Sequence, residues 1–436
     1  MANIRKKVSR IPNKNPKVDA VSEIKMRPAV SGKSANSKPK PQKKAPGKAR
    51  KSSNPIIKFY GLKLLPAFKA SKQRKNIFKF AAAAILIIVL FFLIATPPTG
   101  LPEAITNIIA SSGGGSGFPV RAEGSHIEGM FSSSKNTFVL TDTNLLAFNK
   151  NGKEFLNIQH GYSDPYFSVS SARALVYNLH DTDYMVTNYK STVISDRTEN
   201  EILLATISNS GNFALVTKST GYEAEVNVFN KKNKLIYKWL SADEAVSSVL
   251  LSPNGKMLTV VTVTVSSGTL VSKIYCLNFK SANPVFKYEL NGSVLSLNNL
   301  TSNLFSVVLN NRIIYYNWTK GEVFSSDLNN SVAFYKTDNK SQNIVVCKNG
   351  IITDSYIISL YNNSKLVNQF EYSGQITDID VYHDNIYVLS TQRVDVLNFK
   401  GEKVNSSDFE HILKYMVVGS SDSVIMCDDY SLYKAF

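Results

Sequence analysis

Cysteine is scarce in this chain: three residues in 436, all in the C-terminal half. That excludes a disulfide-dense scaffold. Histidine is scarce too. The five present do not recur at a fixed spacing, which argues against a repeated metal site. Acidic residues are almost missing from the first part of the chain. Residues 1–79 hold 23 Lys+Arg against Asp19 and Glu23 alone, a net of +21. Aromatic residues are absent from residues 1–55, which argues against base stacking by that stretch. Residues 118–436 lack any long amphipathic helical pattern, and the whole chain lacks a G-x-S-x-G nucleophile motif.

The overall charge of +17 is therefore a property of the N-terminal stretch, because the remaining 357 residues sum to −4. Residues 1–55 are Lys, Pro, Ser, Ala and Asn, too poor in apolar surface to offset chain entropy, and read as a disordered basic tail. Residues 56–76 mix Ile56, Phe59, Tyr60 and Leu64 with Lys58, Lys63, Lys69, Lys72, Arg74 and Lys75. This juxtamembrane segment suits a headgroup region or an unstructured linker.

Residues 77–95 include one fully uncharged run, Phe80 to Ala95. Nineteen residues make a helix of about 28 Å, enough to cross a bilayer of ~30 Å with Lys79 reaching the interface. Pro97, Pro98 and Gly100 then stop it. A cleaved signal peptide is the rival reading, but its basic region would be 79 residues long with no clear small-x-small cleavage site after the run. An uncleaved signal anchor fits better, with the basic tail cytoplasmic and the rest outside. Residues 96–117 read as a Pro/Gly/Ser linker ending in Ser111-Ser-Gly-Gly-Gly-Ser-Gly117.

Residues 118–436 are short alternating runs of Val, Ile, Tyr, Phe and Thr, broken by Asn, Gly, Ser and Asp, an all-β pattern. A repeat emerges when the turns are aligned. Leu146-Ala-Phe-Asn149, Asn227-Val-Phe-Asn230, Tyr275-Cys-Leu-Asn278 and Val396-Leu-Asn398 are four copies, each followed by a Lys/Gly/Asn turn. With Asn188, Asn317 and Asn362 the anchoring Asn residues step by 39, 42, 48, 39, 45 and 36. A period near 40 predicts four-stranded blades in a ring. Asn and Gly at these turns suit the positive φ of tight hairpins. Units begin near residues 126, 162, 201, 245, 293, 331, 375 and 410. The last supplies about three strands, so Phe118–Glu123 is expected to add the fourth and close the ring. The expectation is an all-β, eight-bladed β-propeller, with seven blades or a two-sheet sandwich as alternatives.

Ser208-Asn-Ser-Gly211-Asn and Ser252-Pro-Asn-Gly255-Lys resemble the S-x-[DN]-G-x turn of WD-repeat-like and TolB-like propellers. Basic tail, single span and propeller together resemble an uncharacterised family of single-pass bacterial envelope proteins with a domain of unknown function. That resemblance implies location and fold and brings no catalytic residues. Asn317-Trp-Thr-Lys-Gly321-Glu-Val-Phe324 resembles the repeat of PQQ-dependent dehydrogenases, but has Phe where the docking Trp belongs. Trp239 and Trp318 read as packing between blades.

Candidate chemistry is sparse. His180-Asp181-Thr-Asp183 and Asp378-Ile-Asp380-Val-Tyr-His383-Asp384 are possible metal ligands, but read as turn-capping residues. Asp428-Asp429 reads as a solvated turn. Cys276, Cys347 and Cys427 lie in apolar runs and read as buried free thiols. No catalytic, cofactor or metal site is therefore expected, and no cofactor. The expected function is a membrane-anchored extracytoplasmic binding or scaffolding protein whose propeller takes an envelope protein or glycan partner. Lys58, Lys63, Lys69, Lys72, Arg74, Lys75 and Lys79 would meet anionic lipid headgroups. One alternative is a tether whose basic tail binds nucleic acid or ribosomes. Another is an envelope glycan-processing enzyme using Asp380 and His383.

Overall fold

The computed structural model describes Ala81, Ala83 and Ala84, all helical, and residues 102–436 except 125, 134, 339–341 and 351–353. The basic tail, the juxtamembrane lysines and nearly all of the 77–95 run lie outside the described residues. Among the described residues no helix is long and apolar enough to cross a membrane.

Among the described residues, thirty-two strands form eight four-stranded antiparallel sheets. Blades 1 to 7 are consecutive meanders over residues 127–159, 165–197, 202–241, 245–291, 294–327, 332–373 and 378–408. Blade 8 combines β30 (Tyr415–Ser420), β31 (Ser423–Cys427) and β32 (Ser431–Ala435) with β1 (Val120–Arg121). The closing register is Val120↔Leu432 and Arg121↔Ser431. This is the eight-bladed propeller, closed by the N-terminal strand as the repeat implied. The seven-bladed and sandwich alternatives fall.

Strands a to d of each blade run from the central channel to the rim. Their sequences record this position. Strand b is apolar almost throughout and buried, as in Phe213–Thr217 of blade 3, because it is covered by a blade on each side. Rim strands alternate, as in Phe286–Asn291 of blade 4. The core is accordingly not one cluster but eight wedges, each built from two neighbouring blades and together completing the circle. Both tryptophans serve this packing. Trp318 is buried in the wedge between blades 4 and 5, 4.5 Å from Phe305. Trp239 of blade 3 lies 5.3 Å from Tyr275 of blade 4. The three cysteines are free and buried in such wedges. Burial pushes the thiols of Cys276 and Cys427 up to about 12 and that of Cys347 to about 11.

The recurring Asn proves to act through its side chain rather than through positive φ. Asn149 Oδ1 accepts from the backbone N–H of Asn151 and Lys153; Asn230 does the same for Lys232 and Lys234, and Asn398 for Lys400 and Glu402, at 2.9–3.2 Å. Each holds a bulged c–d hairpin. The positive φ falls later in the turn, on Gly152, Asn233 and Gly401.

The expected linker, 96–117, also differs. Helix α1 (Glu103–Ser111) occupies part of it and is docked on the propeller. The Gly-rich run that follows is held as well: Asn149 Nδ2 donates to Ser111 O and Gly113 O, and Gly117 N to Asn151 O. The segment docked on the ring thus includes Glu103–Ser111 and the run to Gly117, upstream of the expected start at Phe118. A Gly/Ser run is free only when no donors lie along its path, and blade 1 provides them.

Candidate functional site

Among the cavities flanked by described residues, one of about 400 Å³ opens at the central channel, at the ends of the inner strands of blades 1, 6, 7 and 8. Lys135, Lys336, Asp338, Asp380, Tyr382 and His383 bring its polar groups. This reunites Asp380 and His383. It also adds Lys336, which sequence reading did not single out, because it lies in another repeat.

The geometry overturns the turn-capping reading of Asp378 and Asp380. Both belong to the inner strand Asp378–Tyr382, not to a turn. Spaced by two, they project to the same side. Asp378 Oδ2 accepts from Met416 N at 3.0 Å and Asp380 Oδ2 from Val418 N at 2.8 Å. Their other oxygens accept from Ile379 N and Val381 N, both at 2.8 Å. Lys336 Nζ, on the inner strand of blade 6, lies 3.1 Å from Asp378 Oδ1. Three inner strands are therefore stitched across the channel wall, which no backbone ladder does between blades. Desolvation at the wall raises Asp380 to about 6, against the opposing pull of the Lys336 charge and the two N–H donors. The charge of Asp378 and Asp380 in turn raises Lys336, against desolvation, which is the largest influence on it. His383 follows in the tight turn at φ 54°, with its ring 4.4 Å from that of Tyr382.

The other candidates divide between turn capping and ion pairing, Asp183 lying in a strand opposite Arg197. Asp181 Oδ1 accepts from Thr182 N, and Asp183 forms a bidentate pair with Arg197 at 2.7 and 3.1 Å. Asp428 caps its hairpin through Tyr430 N and Ser431 N. Asp429 faces His126 and Lys414. No group of three or more His, Cys, Asp or Glu able to hold a metal occurs among the described residues.

The two ends of the ring differ in charge. An antiparallel meander puts its a–b and c–d connections at one end and its b–c connections, with the links between blades, at the other. The first end, where α1 docks, is proximal. Among described residues its connections carry 12 Lys+Arg and 4 Asp+Glu, whereas the distal end carries 2 and 13. No single sequence window shows this, because the charges collect from every repeat.

Fold and topology define the class, an eight-bladed β-propeller. The chain belongs to a family of unknown function (DUF5711), whose model matches residues 121–434. Among solved structures, Sqt1 from Saccharomyces cerevisiae is similar in fold, with a TM-score of 0.52 at 12% identity over 72% of this chain and 97% of that one. BamB from Moraxella catarrhalis gives 0.45 at 10% identity over 73% and 98%. The dihydro-heme d1 dehydrogenase NirN gives 0.49 at 12% identity over 65% and 66%. No curated protein matches in sequence.

Proposed function

We propose that the protein is a membrane-anchored, extracytoplasmic binding or scaffolding module of a bacterial cell envelope, and that it works without catalysis. The apolar run 77–95 is the anchor of this reading, and the basic tail with Lys58, Lys63, Lys69, Lys72, Arg74, Lys75 and Lys79 lies on the cytoplasmic side against anionic lipid. The observation that carries the binding role is the opposition of the two ends. The chain reaches the ring at the basic proximal end, so the acidic distal end is the one presented away from the anchor. The channel carboxylates support a structural rather than catalytic use, since both oxygens of Asp378 and of Asp380 accept hydrogen bonds that join blades or fix their own strand.

The test is cross-linking capture from intact cells. It compares the full chain, a chain lacking residues 1–55, and a full chain with the exposed distal residues Glu199, Asp243 and Glu410 changed to Lys. Partners retained without the tail but lost on distal charge reversal fit the reading. Partners lost with the tail and indifferent to the distal changes would move the function to the tail, as a tether for nucleic acid or ribosomes.

A further inference from the structure

Helix α1 is docked with its polar side inward. Glu103, one turn before Asn107, forms a bidentate pair with the guanidinium of Arg173, at 2.5 and 2.8 Å, and Arg173 also donates to Lys231 O at 2.8 Å. Asn107 is buried, donates to Ala172 O at 2.9 Å and accepts from Tyr189 N at 3.1 Å. Lys153 donates to Ala110 O and Ser112 O at the helix end. The opposite side carries Ile105, Ile108 and Ile109, spaced i, i+3, i+4, all exposed, with Ile108 at 68%. An ordinary surface helix buries such a stripe and exposes its polar face. Here specific polar contacts hold the stripe outward.

The stripe does not stand alone. The c–d hairpins of blades 1–7 reach the same proximal end. Between their strands they hold nine lysines and one acid, Glu402. Lys190, Lys234, Lys280, Lys320 and Lys400 are exposed, and each stands in the turn whose Asn anchor fixes the hairpin. An apolar stripe framed by a ring of lysines is the composition of a surface that lies in the headgroup region of an anionic bilayer. A second copy of the chain is the wrong occupant. A twofold contact would set one lysine ring against another. Chain length agrees with lipid. Seven residues, 96–102, separate the apolar run from α1 and span at most about 25 Å fully extended.

We infer that helix α1 and the lysine-bearing proximal end form a seat on the anionic surface of the bilayer the chain spans, so that the ring lies face-down with its acidic end outward. This rests on the anchored reading above, and its test separates the two. The full chain is reconstituted in phosphatidylglycerol-containing nanodiscs with one added cysteine, Ile108→Cys or, at the distal tip of blade 4, Ser267→Cys. The three native thiols are buried, so a fluorophore reports the added site. Seating is expected to give quenching of the Ile108→Cys label by bromolipid and loss of its quenching by iodide. The Ser267→Cys label shows the reverse. In purely zwitterionic discs, or at 1 M salt where the screening length falls to ~3 Å, the Ile108→Cys label is expected to regain iodide quenching. A second variant, Ile105→Asp with Ile109→Asp, should release the label without touching the Glu103 and Asn107 contacts.

An Ile108→Cys label open to iodide, in a chain that resists carbonate extraction, overturns the seat and leaves the anchor standing. A label shielded from both quenchers means another protein surface covers the stripe, and also overturns it. A chain that never inserts overturns both readings.

Discussion

Asp380 carries a charge that its surroundings discourage. Its carboxyl is raised from an ordinary value near 3.8 to about 6 by desolvation at the channel wall. Between these values the folded chain binds more protons at this site than the unfolded one, so stability falls as pH rises from about 4 to 6 and is flat above. A two-unit shift corresponds to roughly 3 kcal/mol, and partial exposure of the wall reduces this to about 1–2 kcal/mol. Asp380→Asn should remove that part of the slope. Its baseline should also drop, because an amide that accepts from Val381 N turns its own donors toward Val418 N. Denaturant melts of both proteins at pH 4, 5, 6 and 7 measure it. Parallel curves would mean that Asp380 is not the titrating group. The pair Asp378 and Asp380 was visible in the sequence as a motif, but its role was not. The N–H groups it serves are 38 residues away, in the next repeat, and no local pattern reports them.

At the scale of the hairpin, the Asn period was legible because each repeat must solve the same turn, and blade starts read from it fall within a few residues of the observed ones. The reason for the Asn was not legible, since positive φ and a side-chain acceptor both favour it. The structure separates them by experiment. In blade 3, Asn230→Asp keeps the acceptor for Lys232 N and Lys234 N, in a turn that carries three lysines, and should leave stability nearly unchanged. Asn230→Ala leaves both donors unserved and should cost about 1–2 kcal/mol. Urea unfolding of the two variants against the parent decides it. Equal losses for Asp and Ala would return the turn to backbone preference. Helix α1 was missed for a related reason. Nine residues are too short to hold a helix by propensity alone, and its anchors, Arg173, Ala172 and Tyr189, belong to blade 2.

The ring as a whole depends on a join that is two residue pairs long. Each blade covers its neighbours, so an open wedge would leave two apolar faces uncovered. Closure must come from somewhere, and here β1 supplies it by joining β32 across more than 300 residues of chain. Around that join Ala122, Ile127, Ile425, Cys427 and Leu432 are buried, with Phe118 and Val120 packed against them. This feature was legible from counting alone, because seven complete units and one short of a strand leave an N-terminal segment with only one place to go. A chain shortened to begin at Glu123 loses the burial of Phe118 and Val120, about 3–4 kcal/mol, and uncovers the c strand of blade 8 as a free edge. It should melt several degrees lower and self-associate as it does so. A chain beginning at Glu103 keeps the join and should match the parent. Scanning calorimetry with light scattering on the three chains compares them directly. If the shortest melts with the parent, the eight wedges hold the ring without β1, and closure is a consequence of the packing rather than its support.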